Sequence, residues 1–177
     1  IKVGGPSPAE DVSRIGEIRK RFGDSLTIMI DGNEGWDFNT AMYWGKRLEP
    51  YDLYWFEEPI HADDIEGHAV LARELEIPIS VGENLMTRFA FRDYVKARAV
   101  EFLQPDVTRV GGITEWLKIA DLADCYNLPV VPHSGDMMQI HQHLVGATQN
   151  SPMLEYIPWG QELFIHPVRI NKGFLAL

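Results

Sequence analysis

The sequence predicts an α/β protein built as a (β/α)8, or TIM-type, barrel, of which this chain holds about strands 2 to 8. Two observations support this fold. Short apolar runs alternate with longer amphipathic ones along the 177 residues, which is the pattern of repeated βα units around a parallel sheet. An ionisable residue also stands at or just after each predicted strand, and successive ones lie 22 to 29 residues apart. Strand ends converge on one mouth in a barrel, whereas an open sheet spreads them along an edge.

Six short, nearly all apolar runs are predicted as strands, because strands of a parallel sheet are buried on both faces. Lys2 is expected to close one further, truncated strand. The six predicted strands are residues 26–31, 54–57, 79–83, 102–104, 129–131 and 153–156.

Helices are predicted where apolar residues recur three or four positions apart, at residues 8–21, 65–75 and 113–127. Ser7 followed by Pro8 is an N-cap signal for the first of them. No linker or low-complexity tract interrupts the segment, so residues 1–177 are treated as one incomplete barrel domain.

The composition argues against several classes of partner. Asp and Glu number 26 against 16 Lys and Arg, and the resulting charge of -10 opposes binding to a nucleic-acid backbone. No run of about 18 apolar residues is present, so no membrane span is expected. Cys125 is the only cysteine, which excludes an internal disulfide and favours a cytoplasmic location.

Three successive predicted strands end in an acid: Asp31, Glu57 and Glu83. Converging carboxylates repel one another, and a cation removes that repulsion. Ligation by oxygen alone favours Mg2+. A single acid of this kind more often caps a helix or pairs with a surface lysine, but three in register weaken that alternative. Asn33 would either orient a carboxylate or a substrate hydroxyl, or simply form a turn with Asp31 and Gly32.

The next two strand ends carry Asp106 and His133, which are predicted to form an acid/base pair. A carboxylate can hold one ring nitrogen and leave the other for chemistry. An isolated His–Asp pair is usually structural. His133 is singled out by its place at a strand end, whereas His141 and His143 fall in a predicted helix.

Glu155 and Lys2 complete the set. A protonated Glu155 would donate a hydrogen bond to developing enolate charge, or else it is a buried acid with another partner. Lys2 would be a second base, or else it is exposed to solvent. With a metal and a His–Asp pair, these residues favour proton abstraction next to a carboxylate. Acyl transfer is disfavoured, because no Gly-x-Ser-x-Gly elbow is present.

The segments that carry these residues resemble the mandelate racemase subgroup of the enolase superfamily. They are residues 1–4 (IKVG), 30–33 (IDGN), 56–59 (FEEP), 81–84 (VGEN), 104–113 (QPDVTRVGGI), 131–134 (VPHS) and 154–156 (LEY). The resemblance implies an enolase-type C-terminal barrel domain without its N-terminal capping domain. The implied roles are Mg2+ ligands for Asp31, Glu57 and Glu83, an acid/base dyad for Asp106 and His133, an electrophilic carboxyl for Glu155, and the second lysine of a Lys-x-Lys pair for Lys2.

Within this subgroup, residues 57–68, 82–88 and 154–159 look most like acid sugar dehydratases, whose typical substrates are galactarate, talarate or a related aldonate. By that resemblance, a base removes the C2 proton and protonated His133 helps the C3 hydroxyl to leave, giving a 2-keto-3-deoxy sugar acid. The candidate substrate-binding residues are Asn33, His61, Asn84, Arg88 and Trp159.

Three alternatives stay open at this point. A racemase or epimerase would use the same bases and metal without losing hydroxide. A metal-dependent hydrolase usually has His ligands at the early strand ends, and none is found there. The chain could also be a catalytically silent fragment. For the enzyme, we expect a small-molecule sugar acid as the partner, a homo-oligomer, and neither a nucleic-acid nor a membrane partner.

Overall fold

The structure is a computed structural model that describes residues 1–135 and 137–176. The chain forms two compact units. Unit 1 comprises Ile1–Val81 with Asp93–Phe102, and unit 2 comprises Gly82–Arg92 with Leu103–Leu177. Among the helices described, none is both long and apolar enough to cross a membrane.

The named strands and helices alternate for most of the chain, as the sequence predicts. The helices are α1 (Pro8–Phe22), α2 (Phe38–Leu48), α3 (Ile65–Glu74), α4 (Arg88–Ala97), α5 (Ile113–Asp124) and α6 (Met138–Ala147). The strands are β1 (Met29–Asp31), β2 (Trp55–Glu57), β3 (Ile79–Val81), β4 (Phe102–Leu103), β5 (Arg169–Asn171) and β6 (Phe174–Ala176). Short 3-10 helices lie at Glu49–Tyr51 and Gln161–Leu163.

Unit 1 is built on the parallel sheet, whose strand order is β1-β2-β3-β4. Of the two residues of β4, Phe102 belongs to unit 1. Register places Asp31 opposite Glu57, and Glu57 opposite Ser80. Lys2 forms a parallel bridge with Asp31, so the predicted truncated strand is present only as that bridge. The core of this unit contains residues from both the sheet and the helices, including the fully buried Ile15, Ile30, Leu48, Phe56, Leu71 and Ile79.

The starts of α2 and α3 in unit 1 are capped by aspartates. The Asp37 side chain accepts from the Thr40 N–H at the start of α2, and the Asp64 side chain accepts from the Gly67 N–H at the start of α3. Ser7 precedes α1 as predicted, but its side chain makes no capping bond. Pro8 at the first position of α1 lacks an N–H, which removes one donor that a cap would otherwise satisfy.

Unit 2 follows the predicted pattern less closely. The predicted strand at 129–131 is reduced to a single parallel bridge between Leu103 and Val130. The predicted strand at 153–156 is wrong, because those residues have no regular secondary structure. Leu154 instead packs against a small core of Met138, Ile157 and Val168, so its apolar character reflects burial rather than strand pairing.

The last part of unit 2 is a two-stranded antiparallel hairpin that the sequence did not predict. It pairs Arg169 with Ala176 and Asn171 with Phe174, around Lys172 and Gly173. Both turn residues have positive φ, 51° and 84°, as tight hairpin turns require.

Candidate active site

In unit 1, strand register brings two predicted metal ligands side by side. Asp31 and Glu57 are the last residues of β1 and β2 and pair directly across the parallel ladder. Both side chains therefore leave neighbouring strands at the same level. Lys2 lies on the other side of β1, and its Nζ forms an ion pair with the Asp31 carboxylate. The Lys2 side chain is 68% exposed, which agrees with the solvent-exposed alternative, and the functional roles of Lys2, Asp31 and Glu57 stay predictions.

The segment after Asp31 is a turn. Asn33 has a φ of 44°, and its backbone N–H donates to Asp31 Oδ1 at 2.7 Å. Of the two alternatives for Asn33, the turn with Asp31 and Gly32 is the one that the structure contains. Turn chemistry explains the Asp-Gly-Asn sequence, since asparagine tolerates the left-handed region and an aspartate side chain accepts from the backbone two residues on.

His61 lies in the loop after β2, with a side chain 68% exposed. Its Nδ1 accepts from the Asp63 N–H at 3.2 Å. The neighbouring Ala62 is held on both sides, because its N–H donates to Glu34 Oε1 at 2.7 Å and its carbonyl accepts from the Tyr94 hydroxyl at 2.7 Å. The loop that presents His61 is thus anchored by two side chains that the sequence did not single out.

In unit 2, Asp106 and His133 form the predicted pair. The His133 Nδ1–H donates to Asp106 Oδ2 at 2.8 Å. Asp106 Oδ1 accepts from both the N–H and the hydroxyl of Thr108, at 2.8 and 2.7 Å. Burial opposes ionisation of Asp106, but the bonds from His133 and Thr108 outweigh it and lower its pKa to about 2. Asp106 is therefore a carboxylate at neutral pH.

The second ring nitrogen of His133 faces another predicted site residue. His133 Nε2 lies 3.2 Å from Glu83 Oε2. Burial favours the neutral ring, but the hydrogen bond to Asp106 and the charges of Glu83 and Glu155 outweigh it and raise the pKa of His133 above its ordinary value. His133 is thereby prepared to hold a proton on Nε2.

Two glycines allow this close packing in unit 2. A Cβ on Gly82, the residue before Glu83, would come within 2.5 to 2.6 Å of the Gln104 backbone. A Cβ on Gly135 would come within 2.5 Å of Asp106 Oδ2, and Gly135 has a φ of 43°. At Gly82 the neighbouring atoms belong to the backbone and exclude a side chain, whereas at Gly135 a Cβ would displace the Asp106 carboxylate.

Glu155 also belongs to this cluster. Its Oε2 accepts from the Ser134 N–H at 2.8 Å, which fixes the carboxyl beside the residue that follows His133. Residues 153–156 are not a strand, and Glu155 is exposed, so the alternative of a buried acid is wrong. The bond from Ser134 is the contact that holds its carboxyl beside His133, and its role as an electrophile stays a prediction.

The remaining predicted pocket residues of unit 2 differ in their contacts. Asn84 Oδ1 accepts from Arg109 Nη1 at 3.2 Å, and the same nitrogen donates to the Glu83 carbonyl at 2.8 Å. Arg88 Nη1 binds both carboxylate oxygens of Glu115 at 2.7 Å, so its charge is already paired. Trp159 lies in a turn and is 74% exposed.

Sequence reasoning missed Arg109 and His141, and both contact the cluster. His141 Nε2 accepts from the Val107 N–H at 2.9 Å. The sequence pattern that could have indicated a buried role for His141 is its spacing of three residues from both Met138 and Leu144, which share the buried face of α6. Arg109 had a weaker signal, since it is a lone cation three residues after the strand-end Asp106.

The donor chemistry of the predicted ligands fits Mg2+, because Asp31, Glu57 and Glu83 all offer carboxylate oxygens. Asp31 and Glu57 are also in register on adjacent strands. Over the described ranges, however, no three or more His, Cys, Asp or Glu side chains are grouped closely enough to form a ready metal site.

Comparison with known proteins identifies the chain's relatives. L-talarate/galactarate dehydratase of Salmonella typhimurium is 40% identical over 173 residues, which cover 98% of this chain and 43% of that protein. Arabinonate dehydratase of Saccharolobus solfataricus is 38% identical over 183 aligned positions, covering 100% of this chain and 49% of that protein. This chain thus spans less than half the length of either relative.

A solved structure supports the same assignment. L-talarate dehydratase from Polaromonas sp. JS666, complexed with Mg and L-glucarate, has a TM-score of 0.92 at 41% identity, covering 98% of this chain and 48% of that one. The predicted fold class, an α/β partial barrel, is confirmed by this likeness. A family model described as enolase C-terminal domain-like matches residues 1–177. The chain therefore belongs to the enolase C-terminal domain-like family.

Proposed function

We propose that the protein is an acid sugar dehydratase that requires Mg2+. The observation that carries the proposal is the 2.8 Å hydrogen bond between Asp106 and His133, with His133 Nε2 directed at an acid rather than at the apolar core. The names of the relatives add support, since dehydratases of talarate, galactarate and arabinonate align with nearly the whole chain.

The proposed Mg2+ ligands are Asp31, Glu57 and Glu83. Their all-oxygen chemistry supports this, as does the register of Asp31 with Glu57. When bound, the metal would neutralise charge that develops on the substrate carboxylate. Several structures of similar proteins contain magnesium, including a racemase from Streptomyces coelicolor at 35% identity.

In the proposed reaction, a base removes the proton on C2 of the sugar acid, next to the carboxylate. Lys2 is the proposed base, and Glu155, in its protonated form, donates a hydrogen bond to the resulting enediolate. His133 then gives its Nε2 proton to the C3 hydroxyl, which leaves as water while the C3–O bond breaks. Tautomerisation of the enol yields a 2-keto-3-deoxy acid. Asp106 holds the His133 Nδ1 proton throughout.

Substrate contacts are proposed for Asn33, His61, Asn84, Arg88 and Trp159. Asn84 has the strongest support, because Arg109 orients its side chain beside Glu83. Arg88 has the least, because its guanidinium binds Glu115. A polyol acid needs several donors and acceptors of this kind.

The experiment uses the complete natural polypeptide with Mg2+ and a panel of aldonates and aldarates. Formation of 2-keto-3-deoxy product is assayed, and NMR in D2O follows exchange of the C2 proton. His133→Asn is compared with His143→Asn, which makes the same change at an exposed histidine on α6. We expect His133→Asn to lower dehydration by about 10²- to 10⁴-fold and His143→Asn to leave it unchanged.

The readouts separate the candidate functions. Keto product from one sugar acid supports dehydration. Exchange of the C2 proton without keto product would favour a racemase or epimerase instead. Full dehydration by the His133→Asn variant would remove His133 from the mechanism. A variant that still exchanges the C2 proton but cannot dehydrate would assign His133 to the departure of the hydroxyl.

A further inference from the structure

His141 is a fully buried histidine that contacts the turn carrying Asp106. It lies on α6, and its residue is 0% exposed. Its Nε2 accepts from the Val107 N–H at 2.9 Å and lies 3.9 Å from Asp106 Oδ1. Val107 is itself buried, so its N–H depends on a protein acceptor.

The contact with Val107 fixes the protonation state of His141. A ring nitrogen that accepts a hydrogen bond carries no proton, so the proton of His141 is on Nδ1. That atom has no well-formed hydrogen bond among the described residues, although the carbonyls of Ser134 and Met137 lie close enough to favour its proton. Burial lowers the pKa of His141 to about 4 despite the charge of Asp106, and the ring is neutral at pH 7.

The His141 ring connects α6 to the turn that carries Asp106 and Val107. Val107 follows Asp106 directly, so a bond to its N–H fixes the peptide plane from which the Asp106 carboxylate projects. His133 and His141 are joined by the short segment that leads into α6. Helix α6 therefore supports the turn that carries the Asp106 carboxylate, and α6 follows His133 closely in the sequence.

We infer that His141 is a positioning residue that keeps Asp106 aimed at His133 by holding the Val107 N–H. The expected effect of His141 on catalysis rests on the proposed function, because His141 would act by positioning the Asp106–His133 dyad. Side chains that orient the groups touching a reactive centre commonly change activity by about 10- to 100-fold when removed.

A second buried histidine provides a matched control. His68 lies on α3 in unit 1 and is also 0% exposed. Its Nδ1 contacts the Asp64 carbonyl at 2.8 Å and the Tyr94 hydroxyl at 3.2 Å. Replacing His68 perturbs a buried polar contact to a similar degree, but it does not touch Asp106 or His133.

The test compares three variants of the complete natural polypeptide labelled with 15N-histidine. His141→Leu removes the acceptor at similar volume, His141→Gln keeps an oxygen at the reach of Nε2, and His68→Leu is the control. NMR follows the His133 Nδ1–H resonance, whose shift reports its bond to Asp106, and kinetics give kcat and KM for the sugar acid.

We expect His141→Leu to move or broaden the His133 Nδ1–H resonance and to lower kcat about tenfold or more with little change in KM. His141→Gln should restore most of both. His68→Leu should lower Tm but leave the His133 resonance in place. An unchanged resonance in His141→Leu, no recovery in His141→Gln, or an equal shift in His68→Leu would each overturn the inference.

Two further measurements keep this test independent of folding and of the proposed function. In the unmodified protein, the 15N shift of His141 Nε2 should be that of an unprotonated nitrogen, and a protonated Nε2 would overturn the inference even if His141→Leu does not fold. If no sugar acid is turned over, the proposed function fails, while the His133 resonance in the variants still decides the role of His141.

Discussion

Unit 1 and unit 2 hold their candidate residues by different means. In unit 1, Asp31 and Glu57 are placed by the register of two neighbouring strands, which depends on backbone hydrogen bonds. In unit 2, Asp106, His133 and Glu155 lie outside named strands and are held mainly by bonds that involve side chains. A strand tolerates many side-chain changes, whereas a network of side chains fails when one member is lost.

This difference predicts where single substitutions act most strongly. Changes at the strand ends of unit 1 should alter one ligand at a time and leave the backbone in place. Substitutions around the Asp106–His133 dyad of unit 2 should also displace the side chains that are bonded to it. Four experiments test this contrast, in order of decreasing expected effect.

Gly135→Ala should disable the dyad of unit 2. Its Cβ would lie 2.5 Å from Asp106 Oδ2, so the carboxylate must move away from His133. We expect dehydration to fall by about 10²- to 10⁴-fold, as when general acid–base catalysis is lost. Gly173→Ala is the control, since Gly173 also has positive φ but nothing lies within 4 Å of its Cβ position. Equal activity in both variants would contradict the steric argument.

Acid should destabilise the protein through His141. The pKa of His141 is about 4 in the folded protein and about 6.5 in the unfolded chain. Between these two pH values the unfolded chain binds a proton at His141 and the folded protein does not. The free energy of unfolding should therefore fall between pH 6.5 and pH 4, by on the order of 3 kcal/mol, and this contribution should level off below pH 4.

Urea unfolding at a series of pH values measures this dependence. His141→Gln has no titrating group at this position and should show a shallower slope over the same interval. Asp106 adds a separate contribution at lower pH. Its lowered pKa contributes stability above pH 3.8 that is lost as the pH falls towards about 2. A slope that is identical with and without His141 would contradict the prediction.

Glu57→Gln and Glu83→Gln should each weaken Mg2+ binding by roughly tenfold or more, because each removes the charge of a proposed ligand. Isothermal titration calorimetry on the complete natural polypeptide measures the Kd. Glu101→Gln is the control, since Glu101 is a partly buried acid of unit 1 that accepts from the Ile79 N–H at 2.7 Å. Unchanged affinity for either ligand variant would remove that residue from the proposed site.

The smallest expected effect compares two helix starts in unit 1. Asp37→Ala removes a capping bond to the Thr40 N–H and should cost about 1 kcal/mol of unfolding free energy. Ser7→Ala should change it by less than about 0.5 kcal/mol, because Ser7 makes no side-chain cap bond. Neither variant should move the His133 Nδ1–H resonance. Chemical denaturation of both would show whether unit 1 responds locally, as its backbone-based construction predicts.

The sequence predicted the strands of unit 1 and its helices α1 and α3, because their signals are local, but it did not predict α2. The helix expected at 8–21 is found at Pro8–Phe22, and strand ends at Asp31 and Glu57 are confirmed. The expected strand at 153–156 failed because an apolar run does not say whether a neighbouring strand is available to pair with it. Leu154 is packed in a small core instead.

The candidate site was predictable to the extent that it depends on strand ends. Asp106 and His133 were predicted to pair as consecutive strand ends, and they do form a hydrogen bond, although both lie outside the strands. His141 was set aside because a helical histidine contacting a backbone N–H leaves no pattern that distinguishes it from an ordinary buried residue. For Asn33 the sequence left two alternatives open, and the positive φ decides for the turn.

The two units also alternate along the sequence. Unit 1 is interrupted after Val81, resumes at Asp93 and ends at Phe102, so α4 contributes residues to both units. Neither unit is a continuous stretch that a single cut could release. During synthesis, a ribosome must already have delivered residues 82–92 before the last ten residues of unit 1 emerge. Unit 1 therefore cannot be completed until the first residues of unit 2 have been synthesised.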